Sequence, residues 1–152
     1  MSVLPPTVFV DGNNVMGSRA DGWWRNRAEA AQRLVADIAA VACRQRGAWT
    51  IVFDGPEPPS MSPAQGCLSV IHTGHRRRDG ADDCIVELVA VLPDPSAALV
   101  YTSDAGLRSR VHAFGARVSG ARALLNEIAA VRETMEPRIG DRGTFGRGPV
   151  QE

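Results

Sequence analysis

Short apolar runs rich in β-favouring residues alternate with longer stretches of helical period, and that alternation runs almost the length of the chain. "TVFV" (7–10) is the first run, and it ends at the turn signal "DGNN". From about Trp24 to Gln45 the apolar residues Ala31, Leu34, Val35, Ile38, Val41 and Ala42 recur at intervals of three and four, and Gly47 supplies a stop. "WTIVFDG" (49–55) and "CLSVIHT" (67–73) read as the second and third strands, joined by a Pro- and Ser-rich loop. "DGADDCIVELVAVL" (79–92) returns to helical period, with Ile85, Leu88, Val89 and Leu92 on one face and Pro93 ending it. A fourth strand, "ALVYTSD" (98–104), precedes a short helix over about 105–113, a fifth strand "ARVSG" (116–120) and a last helix over about 121–134. This order predicts βαβ units: an α/β three-layer sandwich, with a mostly parallel five-stranded sheet and helices on both faces.

With 152 residues the chain is the size of one domain. The expected boundaries are 1–136 for the domain and 137–152 for a disordered tail, since "PRIGDRGTFGRGPVQE" is rich in Gly and poor in apolar residues. No apolar run approaches the roughly 18 residues of a membrane span, and "MSVLPPT" lacks the pattern of a signal peptide. The expectation is a cytoplasmic protein without a membrane partner. Cys43, Cys67 and Cys84 show no CxxC spacing, so reduced and mostly buried thiols are expected, and a zinc site is disfavoured. All seventeen basic residues are arginine. The absence of lysine excludes a P-loop, a protein kinase and Schiff-base chemistry, each of which needs that amine.

In open α/β sheets the ligand site lies beyond the carboxyl ends of the strands, near the point where strand order reverses. The first strand ends in Asp11, the second in Asp54 and the fourth in Asp104, while Asp82 and Asp83 fall in the first turn of the helix after the third strand. Each acid alone has a structural explanation. Asp-Gly is a turn pair at Asp11 and Asp54, Asp79 could cap its helix, and Asp104 could cap the next. Their coincidence on one rim points further. Clustered acids raise one another's pKa, and a divalent cation removes that cost. Hard oxygen ligands suit Mg²⁺ or Mn²⁺, whose activated water attacks a phosphodiester. Asn14 suits either orientation of the phosphate or a turn cap. A hydroxyl of Thr102 or Ser103 suits a bond to a carboxylate or phosphate, with capping the expected duty of Ser103.

Arg76, Arg77 and Arg78 precede the Asp82–Asp83 pair, where phosphates would arrive. Arg19, Arg25 and Arg27, and also Arg108 and Arg110, are expected to frame the same rim. Trp23 and Trp24 offer either a stacking surface for an unpaired base or a partly buried pair at a helix start. His72 and His75 lack metal spacing and suit phosphate contact or simple exposure.

"VFVDGNNVMG…GWWRNRAEAAQRLV", "TIVFDG", "DGADDCIVELV" and "YTSDAGLRSRV", in that order over about residues 7 to 130, resemble the NYN domain of the YacP-like type, within the PIN-like nuclease group. The resemblance implies a PIN-like sandwich and metal-dependent endonucleolytic cleavage of RNA, leaving 5′-phosphate and 3′-hydroxyl ends. It implies Asp11, Asp82 or Asp83, and Asp104 as metal-binding acids, Asn14 as the polar residue of the opening motif, and Asp54 as an acid of variable role. The chain departs from PIN toxins in carrying the Asp pair where they commonly have Glu, and Ala105 stands where the resemblance leads one to expect a larger or basic residue.

The leading expectation is therefore a Mg²⁺- or Mn²⁺-dependent ribonuclease of single-stranded or flexible RNA. Asp11, Asp83 and Asp104 are its main ligands, Asp82 a further ligand or orienter, and Arg76–Arg78, Arg108 and Ser103 its RNA contacts. The alternative is an RNA-binding or ribosome-associated protein whose acids serve structure alone. A receiver or phosphatase on the same architecture is disfavoured by the missing lysine.

Overall fold

In the computed structural model, which describes residues 5–59, 61–74 and 80–135, the order of elements follows the expected alternation. It runs β1 (Thr7–Asp11), α1 (Gly12–Gly17), α2 (Arg27–Ala42), β2 (Ala48–Phe53), β3 (Ala64–Gln65), β4 (Leu68–His72), α3 (Gly80–Ala90), β5 (Ala98–Tyr101), α4 (Ala105–His112), β6 (Arg117–Ser119) and α5 (Ala121–Met135). The sheet has the order β3-β4-β2-β1-β5-β6. Every pairing is parallel except β3 with β4. From β1 at its centre the chain steps outward through β2 and β4, then crosses to β5 and β6 on the other side. Strand order thus reverses between β1 and β5, and that crevice is where such sheets bind ligands.

Period-two alternation sorts the strand residues between two cores. Val8, Val10, Ile51 and Phe53 pack with Leu34, Val35, Ile38, Leu124 and Ile128 of α2 and α5. Phe9, Val52 and Val100 pack with Ile85, Val89, Leu107 and Val111 of α3 and α4. The helical stripes predicted for α2 and α3 supply their share of these contacts.

Four features differ from expectation. The sheet has six strands, because the two-residue β3 pairs antiparallel with β4 and is too short to leave a pattern. "DGNN" does not merely turn: α1 starts at Gly12 directly after β1. The stretch from Trp24 to Gln45 is divided into a 3-10 turn, Trp23–Arg25, and α2. Asn26 caps α2, its side-chain oxygen accepting from Glu29 N–H at 3.1 Å while its amide nitrogen donates to the Glu29 carboxylate at 3.3 Å. Cys43 and Cys67, expected to be reduced, form a disulfide joining the end of α2 to the start of β4, with Cα atoms 5.2 Å apart. Their partnership arises from parallel packing across 24 residues, which sequence spacing does not display. Cys84 is a half-buried free thiol. His75, Arg76, Arg77, Arg78, Asp79 and the tail from 137 lie outside the described residues.

Candidate active site

Asp11 is the last residue of β1, and strand period places it on the same face as Phe9, toward α3. It is only 4% exposed. Thr102, two residues beyond Val100 and fully buried, donates its hydroxyl to Asp11 Oδ2 at 2.8 Å and accepts from Asp104 N–H at 3.1 Å. One threonine thus couples the ends of β1 and β5 across the crevice. Burial raises the Asp11 pKa from its ordinary 3.8 to about 6. The Thr102 bond opposes that rise, as does the Asn14 backbone N–H, while the charges of Asp82 and Asp54 add to it.

The two asparagines of "DGNN" brace the rim on opposite sides. Asn13 Oδ1 accepts from Asp54 N–H at 2.7 Å, and Asn14 Oδ1 accepts from Ser103 N–H at 2.8 Å. Because α1 begins immediately after β1, both amides project to neighbouring strand ends, β2 for Asn13 and β5 for Asn14. The other polar groups of the rim hold the starts of helices. Asp54 Oδ1 accepts from Ala81 N–H at 2.7 Å in α3, and Ser103 Oγ accepts from Ala121 N–H at 2.9 Å in α5. Asp104 Oδ1 accepts from Gly106 N–H at 2.8 Å and Leu107 N–H at 3.3 Å, capping α4. Capping by Ser103 was expected, but the helix it serves is α5.

Asp82 and Asp83 sit side by side in the first turn of α3, and a helix turns successive side chains about 100° apart. Asp82 is the one whose charge acts on Asp11. Asp83 Oδ1 lies 3.0 Å from Arg110 Nη2 of α4, both side chains well exposed. Among the described residues, no three His, Cys, Asp or Glu side chains gather as a metal centre. The expected trio of Asp11, Asp83 and Asp104 is therefore not brought together as one ligand set. The acids whose charge Asp11 senses are Asp82 and Asp54.

The arginines divide. Arg19 pairs with Asp37 of α2, which also meets Arg132 at 3.2 Å, so Arg19 does not serve the rim. Arg110 faces Asp83, and Arg108 is half-buried in the first turns of α4. The Arg25 guanidinium lies 5.9 Å from the centre of the Trp24 ring, and Arg27 lies 5.2 Å from that of Trp23. Trp24 is 59% exposed and meets Trp23 edge-on at 6.0 Å. His72 is half-buried and stacked on Phe53 at 5.2 Å, so it is not a simply exposed group, and burial lowers its pKa. Asn13 and Asn26 were missed as partners, and so was the Arg110–Asp83 pair. Only the N-x-x-E spacing of Asn26 and Glu29 carried a local signal.

A family model for the YacP-like NYN domain matches residues 8–147. A crystal structure of Rae1 (YacP) from Bacillus subtilis is similar at a TM-score of 0.71 and 21% identity, covering 92% of this chain and 83% of that one. A point mutant of the same Bacillus subtilis protein gives a TM-score of 0.68 and 23% identity over 91% and 84%. Those likenesses show the fold. No curated protein matches the chain. No helix among the described residues is long and apolar enough to cross a membrane.

Proposed function

The chain belongs to the YacP-like NYN domain family, a nuclease-like group, and from that premise we propose that it is a metal-dependent endoribonuclease. Its substrate is single-stranded or flexible RNA, cut to leave 5′-phosphate and 3′-hydroxyl ends. One observation carries the proposal: Asp11 is buried at the switch point with its pKa lifted to about 6, partly by the charges of Asp82 and Asp54. A site that penalises its own negative charge is suited to a cation.

The donor set fits Mg²⁺ or Mn²⁺ better than a caged metal. Magnesium keeps several waters and is commonly held by one or two carboxylates together with substrate phosphate. Asp11 and Asp82 would hold it, with Asp54, Asp83 and Asp104 as further acids of the rim. Bound there, the ion supplies a water of lowered pKa and neutralises charge on the phosphate. The residues themselves do the positioning. Thr102 fixes one Asp11 oxygen, and the Asn14 backbone N–H also favours the carboxylate's charged form. Asn14 ties the Ser103 backbone to α1, which holds the Asp104 loop in register with Asp11. Arg108 and Ser103 are assigned to the RNA backbone, and Arg76, Arg77 and Arg78 join them on sequence grounds. The domain is taken as 1–136 with 137–152 as a tail, and the setting as cytoplasmic.

A second reading, an RNA-binding or ribosome-associated protein with little catalysis, draws on a specific observation. Asp54 and Asp104 each spend an oxygen capping a helix, which is structural employment enough to retain them. Incubation of labelled RNA with purified protein and Mn²⁺ separates the two. Cleavage is expected from the wild type, stopped by EDTA and reduced more than about 100-fold in Asp11→Asn, beyond the 10–100-fold cost typical of outer-shell changes. Equal cleavage by wild type and Asp11→Asn would sink the nuclease proposal.

A further inference from the structure

A cavity of about 230 Å³ opens beside the acid rim, between the start of α2 and the end of β2, and Asp54 belongs to its wall. We propose that it receives one unpaired nucleobase of the RNA whose phosphate lies at the acids; the proposal rests on the RNA reading above. The cavity is smaller than the roughly 300–1,000 Å³ of sites for drug-sized ligands, so it suits a single ring system. Its walls are those of a base slot. Met16, Phe53 and Pro58 are apolar, and His72 is stacked against Phe53 with its planes 18° apart. Burial lowers the His72 pKa against the opposing charge of Glu57, which disfavours a charged ring under a base. Asn13 supplies polar discrimination. Its Oδ1 is committed to Asp54 N–H, which fixes the amide orientation and leaves the amide nitrogen, unpaired among the described residues, as a donor. Arg27 at the same wall offers positive charge to an adjoining phosphate.

The test uses the Asp11→Asn protein, so that RNA is bound without turnover, and short single-stranded RNAs carrying one abasic residue at each position in turn. Affinity is read by fluorescence anisotropy. An abasic residue at one position is expected to weaken binding about tenfold, within the range for a stacked base. Ala28→Trp, at an exposed position lining the cavity, is expected to weaken intact RNA by a similar factor and to erase the sensitivity to that abasic residue. Uniform affinity across the abasic series, or unchanged sensitivity in Ala28→Trp, overturns the proposal. Wild-type cleavage with no abasic sensitivity removes the base slot and leaves the nuclease standing. Abasic sensitivity without any cleavage does the reverse, and no binding of RNA removes both.

Discussion

A carboxylate that the fold prefers to keep protonated makes opposite demands on stability and on function. Asp11 has its pKa raised from 3.8 to about 6, so the stabilisation from its neutral form is complete below about pH 4 and lost as pH rises through 6. In metal-free solution at pH 8, Asp11→Asn should therefore be more stable than wild type, by up to about 3 kcal/mol for a shift of that size. The advantage should vanish below about pH 4; thermal melts in EDTA across that range provide the check. Cation binding should run the other way: at sub-saturating Mn²⁺, activity should fall as pH drops through about 6, because the proton competes with the cation for the metal-free Asp11. Thr102→Val removes the hydroxyl that favours the anion, so the acidic limb of kcat/KM should move to higher pH and activity should fall about 10–100-fold. At this scale the sequence displayed the acids, because turn chemistry marks Asp11, Asp54 and Asp104 at strand ends. It hid their restraints. The Asn13–Asp54 and Thr102–Asp11 bonds span 41 and 91 residues, and contacts so distant leave no local pattern.

The element that carries the asparagines was the hardest to foresee. The six-residue α1 opens on Gly12-Asn13-Asn14, poor helix formers that resemble a plain turn. Tertiary contact decides the matter. A Cβ on Gly12 would stand 2.6 Å from the Phe53 ring and 2.9 Å from Val52 O, so only glycine lets α1 begin against β2. Gly12→Ala should cost about 1–3 kcal/mol in denaturant unfolding, as overpacking does, and should lower activity by moving Asn14. The strands and α2, α3 and α5 were legible because their hydrophobic periods are long enough to read. Helix α3 also supplies a discriminating comparison. Asp82→Asn should reduce RNA cleavage more than Asp83→Asn, since Asp82 acts on Asp11 while Asp83 is engaged by Arg110. Loss of the exposed Asp83–Arg110 pair should cost at most about 1 kcal/mol.

Across the whole molecule the two ends of the sheet have different work. Asp11, Asp54 and Asp104 stand at the carboxyl ends of strands, whereas the Cys43–Cys67 bridge joins α2 to the start of β4 at the opposite end. In the chain-entropy picture, closing a loop of this length is worth about 3 kcal/mol. Reduction should therefore lower Tm by roughly 6–12 °C while leaving RNA cleavage at moderate temperature intact, as melts and cleavage assays with and without dithiothreitol would show. The described sheet also finishes in strands of two and three residues, β3 and β6. Unpaired backbone along a sheet's flank invites strands from other chains, and very short flanking strands are one way natural proteins refuse the invitation. Fibril-like stacking and partner capture by strand addition are thereby discouraged on both flanks of the described sheet.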